Sequence, residues 1–334
     1  MTLPATSAPP FRVTRISHVA LNVRDLAASR AFYEGLVGLV VTEQDGDTLY
    51  LRGVEETAHH SLILHRGGEP TAERLGFRVA AEEDLDAAKA HFDALGLAAD
   101  WVDVPHQART LRAVDAGGVP LELCVTMPVR PRRGLEFADF EGAAAARIDH
   151  AQVHVTDPDN YARFYTRLGF RISEFGSASG TADTPLLAVF LSRKGDCLDL
   201  VGALNIGPRL HHFAFIVHDA SLTLPRVCDL ASSLGIRDSV EYGPGRHGLA
   251  PQQFLYLRDP DGHRIELVSH AYQLIDPEVE PVGWSLTDPR AVTLWGPMPG
   301  AAWFHEASVF RNIPTSAPAT ASGDAQTPHE ALLR

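Results

Sequence analysis

Cysteine is scarce in this chain: Cys124, Cys197 and Cys228 are the only three among 334 residues. None belongs to a Cys-x-x-Cys pair, and they are too scattered for a disulfide framework, so a reduced, cytoplasmic protein is expected. No run of about 18 apolar residues occurs, which excludes a membrane-crossing helix. Positive charge is not in excess either. With 29 Lys+Arg against 42 Asp+Glu, the formal net charge is −13. That balance argues against a nucleic-acid surface and against attraction to anionic lipid. Residues 1–10 carry no basic segment followed by an apolar one, so no secretory signal is expected.

What is present is ordinary for a globular protein, with 45% hydrophobic and 21% charged residues. The length favours two domains. Sixteen histidines are a mild excess, most of them expected at the surface or in supporting positions. Lone histidines such as His154 and His218 are read as half-exposed.

The chain repeats itself. Residues 16–39, ISHVALNVRDLAASRAFYEGLVGL, run in step with residues 148–170, IDHAQVHVTDPDNYARFYTRLGF, apart from one extra residue before the last Gly of the first copy. Each copy alternates apolar residues as a strand does, passes a turn containing Asp, and enters an amphipathic helix ending near Gly38 or Gly169. Each half also closes on a tight turn feeding a strand with one glutamate, Glu122 or Glu266. Further helices are expected near 84–95 and 221–234. Ungapped comparison sets Arg74-Leu75-Gly76-Phe77 against Arg209-Leu210-His211-His212. On that count the first half keeps His18 and Glu122 but offers Phe77 in place of His212. A connector rich in Pro, Arg and Ala separates the halves between Met127 and Ala146.

Three stretches of the second half contain two histidines and a glutamate of the kind a catalytic Fe(II) or Mn(II) takes. They are Ile148-Asp149-His150, Pro208-Arg209-Leu210-His211-His212, and Asp259 to Glu266. With Gly243-Pro244-Gly245-Arg246-His247-Gly248, Leu255-Tyr256-Leu257, Leu294-Trp295-Gly296 and Glu306-Ala307-Ser308, they resemble the vicinal oxygen chelate (glyoxalase-like) superfamily. Within it the chain is similar to the two-domain type I extradiol ring-cleaving dioxygenases, above all the branch acting on homoprotocatechuate. The likeness is good over 148–308 and looser over 12–126.

The resemblance implies an α+β fold of tandem βαβββ modules in two open-barrel domains. A metal-free duplicate would span 12–127 and the metal-bearing domain 146–272. A lid segment over the site mouth is expected at 273–310, with Trp284, Trp295 and Trp303 around it, and a disordered tail at 311–334. Carried over residue by residue, His150, His212 and Glu266 become the metal ligands. Tyr256 becomes a hydrogen-bond donor to a substrate oxygen, and His247 a supporting pocket histidine. The cofactor implied is Fe(II), with Mn(II) possible, and the partners are a small aromatic diol and O2. Relatives of this kind also imply a homo-oligomer.

Four positions depart from the family pattern. Leu198 stands where an acid–base histidine is expected, Gln152 replaces an asparagine near the first ligand, and Tyr242 and Val292 replace the two arginines that grip a substrate carboxylate. Leucine neither donates nor accepts a proton, so His247 or His211 is a candidate for that task. Without the arginines, a site lined by Phe190, Leu198, Tyr242 and Val292 suits a neutral or apolar-substituted ring. Two other readings stay open. One is a metal-dependent isomerase or lyase, for which Gln152 lies on the same strand face as His150. The other is a protein that binds an aromatic ligand without turning it over.

Overall fold

The computed structural model describes residues 2–136 and 139–318. Each half is built from two βαβββ modules. The first half contains β1 (Val13–Val23), α1 (Leu26–Arg30), β2 (Val40–Asp45), β3 (Thr48–Arg52) and β4 (Leu62–Arg66). It continues with β5 (Thr71–Val79), α2 (Glu82–Ala94), β6 (Ala99–Val102), β7 (Thr110–Val114) and β8 (Pro120–Cys124). The second half repeats this order. Its elements are β9 (Arg147–Val155), α3 (Pro158–Arg167), β10 (Arg171–Ser177), β11 (Leu186–Ser192), β12 (Leu200–Leu204), β13 (Arg209–Ile216), α4 (Ala220–Ser233), β14 (Val240–Arg246), β15 (Gln253–Arg258) and β16 (Arg264–Val268). The strand orders are 2-3-4-1-5-8-7-6 and 10-11-12-9-13-16-15-14, mixed in direction and identical in plan, which makes the fold α+β.

The extra residue in the first copy has a structural outlet. Asp25 caps α1 by accepting from the Ala27 and Ala28 amides at 2.8 and 3.2 Å. The helix then widens into a π-turn over Ala31–Leu36, with Val37 N–H bonding back to Phe32 O. Such a turn absorbs one inserted residue without shifting the flanking strands. The undisturbed copy, α3, is capped by Asp157 and stays α-helical to Arg167. Both exits use a glycine in the left-handed region, Gly38 at φ +73 and Gly169 at φ +82.

The halves are joined by a reciprocal exchange between their repeated motifs. Tyr33, from the helical segment of the first half, donates to Asp259 in the last turn of the second at 2.9 Å. Tyr165, its counterpart in α3, donates to Asp115 in the last turn of the first at 2.7 Å. All four side chains are buried. The tyrosine of each helical segment and the aspartate of each closing turn, Asp115 and Asp259, thus serve the opposite half.

The segment expected as a lid is partly woven into the second sheet. β17 (Val282–Ser285) extends it beside β10 in parallel, and β18 (Ser308–Val309) pairs with β13. Between them, the short helix α5 (Ala301–His305) buries Trp303 and Phe304. Of the tail expected to be disordered, 311–318 is described, and Ser316 exchanges two backbone hydrogen bonds with Gly207. The remainder, 319–334, lies outside the described residues.

Candidate metal centre

The three central strands β9, β13 and β16 bring His150, His212 and Glu266 together in the second sheet. His150 Nε2 lies 3.2 Å from His212 Nε2 and 3.2 Å from Glu266 Oε2, and His212 Nε2 lies 3.3 Å from the same oxygen. All three residues are buried. Three donor atoms converging at this spacing can share one divalent cation, and two imidazoles with a carboxylate on one face leave the other face open.

Hydrogen-bond logic fixes which nitrogen of each ring is free. Asp149 Oδ2 accepts from His150 Nδ1–H at 2.8 Å, leaving the lone pair on Nε2. For His212 the relay has one more member. The Trp303 carbonyl accepts from His211 Nε2–H at 2.6 Å, so His211 Nδ1 must accept, and the donor facing it at 2.7 Å is His212 Nδ1–H. His212 Nε2 therefore also presents a lone pair to the centre. Both nitrogens of His211 are thus engaged, one by the Trp303 carbonyl and one by His212.

The charge pattern fits a cation. Burial disfavours the ionised form of Glu266, yet contacts from His150, His212 and His247 outweigh it and hold the carboxyl well below its usual range. His150 is pushed by burial toward the neutral form, but Asp149 and Glu266 raise it to about 9. Burial lowers His212 to about 4. Two carboxylates around one imidazole thus call for positive charge at this point, which a proton on His150 Nε2 or a bound divalent ion would supply. Behind them Lys194 Nζ neutralises Asp149, 3.3 Å from its Oδ1, and reaches Asp199 at 3.6 Å.

Tyr256 and His247 stand beside the triad. His247 Nδ1–H donates to the Val292 carbonyl, which leaves Nε2 facing Tyr256 Oη at 3.1 Å and Glu266 Oε1 at 3.3 Å. The imidazole is stacked on Phe254 at 3.9 Å between ring centres, which fixes its plane. Tyr256 belongs to β15 directly opposite Glu266 on β16.

One cavity collects the three acid and imidazole donors, His247, Tyr256, Gln152, Phe190, Leu198 and Val292. Tyr242 is the exception among the residues expected to touch substrate. It does not line the cavity; its ring stacks behind Tyr256 at 5.4 Å, and its hydroxyl bonds Thr293 Oγ1. The two-residue alternation of β14 and its bulges turn this side chain toward the Trp303 side of the pocket wall. His154 corrects a second expectation. It is buried, not half-exposed, lines the cavity, and its Nδ1 has no hydrogen-bond partner. Its position two pleats from His150 on β9 was a readable signal, since both point to one face. His218 is half-exposed as expected and pairs with Glu55 at 3.0 Å. Trp303 and Phe304 also line the cavity, which periodicity could not have indicated.

The register of the first sheet revises the comparison with Phe77. Gly76 pairs with Glu122 as Ala214 pairs with Glu266, and Arg74 pairs with Ala20 as His212 pairs with Gln152. The residue matching His212 is therefore Arg74. β5 and β13 align without a gap, Ala72 with Leu210 and Gly76 with Ala214, and the recurring Arg-Leu pair sets the ungapped comparison three residues out of step. The Arg74 guanidinium reaches Glu122 Oε2 at 3.2 Å, Arg112 reaches the same oxygen at 2.9 Å, and His18 Nε2 meets Oε1 at 3.0 Å. Gly76 is required there, because a Cβ would stand 2.1 Å from the His18 ring.

The chain belongs to the Glyoxalase/Bleomycin resistance protein/Dioxygenase superfamily, which both halves match, over residues 15–123 and 147–267. It is 30% identical to the manganese-dependent 2,3-dihydroxybiphenyl 1,2-dioxygenase of Geobacillus genomosp. 3, over 85% of this chain and 93% of that one. Among solved structures it is similar to an extradiol ring-cleaving dioxygenase from B. fuscum, with TM-score 0.89 and 31% identity, covering 97% of this chain and 91% of that one. Homoprotocatechuate 2,3-dioxygenase from Arthrobacter globiformis superposes with TM-score 0.87 and 32% identity, covering 94% and 98%.

Proposed function

We propose that this chain is an extradiol ring-cleaving dioxygenase acting on a catechol with a neutral or apolar substituent. One Fe(II), or Mn(II) in its place, would be held by His150, His212 and Glu266. The observation that carries this reading is the convergence of those three donor atoms within 3.3 Å on the wall of a largely apolar cavity. The manganese dependence named for the Geobacillus relative supports Mn(II) as the alternative ion. Bound there, the metal would supply Lewis acidity toward the diol and a route for electrons from ring to O2.

The protein's own groups prepare and direct the reaction. Asp149 and the His211–Trp303 relay keep both ligand lone pairs aimed inward. Tyr256 would donate its hydroxyl hydrogen to a substrate oxygen as negative charge builds on it. His247, its Nδ1 held by the Val292 carbonyl, would exchange a proton with substrate through Nε2, the task Leu198 cannot perform. The overall change breaks the ring C–C bond next to the diol and places both oxygen atoms of O2 in the open product. The three cysteines are unpaired, in keeping with a reducing compartment such as the cytoplasm.

Specificity follows from the lining. Among the described residues, no arginine or lysine lines the cavity. A substrate carboxylate would meet Phe190, Leu198 and Val292 without a partner, at a cost of several kcal/mol. Oxygen uptake by Fe(II)-loaded protein tests this with a panel of catechol, 3-methylcatechol, 2,3-dihydroxybiphenyl and homoprotocatechuate. One O2 consumed per ring opened is expected with the neutral diols, and kcat/KM at least about a hundredfold lower with homoprotocatechuate. No uptake with any diol, or preference for the carboxylate, would sink the reading.

A further inference from the structure

A second group of metal-binding side chains lies in the first half, away from the place matching the triad. Glu43 on β2 faces two imidazoles: His59 Nε2 at 3.2 Å from Oε2 and His106 Nε2 at 3.4 Å from Oε1. The two rings are stacked in parallel, 3.9 Å apart with 5° between their planes, so both Nε2 atoms are presented to one carboxylate. His59 is fully buried, and the side chains of His106 and Glu43 are 22% and 37% exposed. The donor atoms of the three lie within 4.8 Å of one another.

We propose that Glu43, His59 and His106 bind a divalent ion of the Zn(II) class, with water in the remaining position. Two imidazoles and one carboxylate match the borderline preference of that ion, and a partly exposed rim gives the water access. His59 Nδ1 lies 3.2 Å from His60 Nδ1, the outward contact that orients a ligating imidazole. His106 also holds a left-handed backbone at φ 60, which a residue with a Cβ adopts at a cost. That conformation carries its ring over His59. The nearest permanent cation, Arg130, is farther from Glu43 than either ring, at 3.9 Å.

The position in the fold indicates what the ion would do. β2 and β6 are the two ends of the first sheet, and His106 follows β6. In the second half the corresponding ends are fastened by neutral donors. Glu174, which matches Glu43, accepts from the Ala250 amide at 3.0 Å, Tyr272 Oη at 2.9 Å and Trp284 Nε1 at 2.8 Å. The first half has imidazoles at that closure instead, so the ion would tie the loop after β6 to β2.

Metal-stripped full-length protein titrated with Zn(II), with bound metal counted by mass spectrometry, tests the proposal. His106→Gly, which keeps the left-handed backbone, and Glu43→Gln should each bind roughly one equivalent less than the parent chain, or bind it at least about tenfold more weakly. In a Glu266→Gln background, which disables the triad, roughly one equivalent should remain and disappear on adding His106→Gly. This second arm reads the new site whether or not the triad is a metal centre. The metal-free variants should unfold cooperatively like the parent, and a Co(II) visible band should be lost with either substitution. Unchanged stoichiometry and affinity in both variants, or no equivalent retained in the Glu266→Gln background, would overturn it.

Discussion

The two halves put different chemistry at the same five places of one sheet plan. His18 corresponds to His150, Glu122 to Glu266, Arg74 to His212, Arg112 to Tyr256 and His60 to Leu198, as the paired registers establish. In the first half the glutamate is held by two guanidinium groups, which stay charged at any pH the protein meets. In the second half its nearest neighbours are imidazoles and a tyrosine hydroxyl, so the positive charge must come from elsewhere. Arginines in place of one histidine and one tyrosine can therefore turn a place for an exchangeable ion into a permanent ion-pair network on the same sheet plan. We infer that the first-half counterpart stabilises the sheet and does not hold a catalytic metal.

Breaking this comparison starts with the ligands. Glu266→Gln should lower ring-cleavage activity by at least about a thousandfold, since it removes the anchor of an ion worth several kcal/mol to the reaction. Steady-state oxygen uptake at saturating diol checks it. Asp149→Asn removes the acceptor that orients His150 and should weaken Fe(II) affinity roughly 10- to 100-fold, measured by competition with a chelator. Arg74→Met should do the reverse. It should cost about 2 kcal/mol of stability in urea unfolding, the scale of a charge-assisted hydrogen bond, while activity per folded molecule stays unchanged.

The smallest effect concerns pH. Burial raises the Glu122 carboxyl, but His18, Arg74 and Arg112 outweigh it and hold it below the usual glutamate range. A depressed folded-state pKa contributes stability that is present above the unfolded value of about 4.3 and is lost as pH falls below it. Stability of the parent should therefore fall between about pH 5 and pH 3 more steeply than that of Glu122→Gln, by thermal unfolding across that range.

Much of this was legible in the sequence because it was written twice. The repeat exposed the βαβββ plan, and alternation placed His150 on the inner face of its strand. The tyrosine–aspartate exchange between halves was visible only as an unexplained recurrence, since periodicity says nothing about which half a side chain serves. The Phe77 alignment failed for a local reason. The Arg-Leu pair recurs three residues out of register, at Arg74-Leu75 and Arg209-Leu210, and an odd slip reassigns a whole face. His154 was misread because burial depends on what packs against a strand, here the His211 ring of β13, 5.0 Å away. Glu43, His59 and His106 escaped notice because they meet only when the two ends of the sheet close on each other.

The central claim is that the reacting centre lies at Glu266 and that Glu122, its counterpart, is structural. Oxygen consumed per ring opened, measured side by side for Fe(II)-loaded parent, Glu266→Gln and Glu122→Gln, tests it most directly. One O2 per ring is expected in the parent and in the folded Glu122→Gln protein, with Glu266→Gln inactive. Activity retained by Glu266→Gln, or lost in a folded Glu122→Gln, would contradict the account.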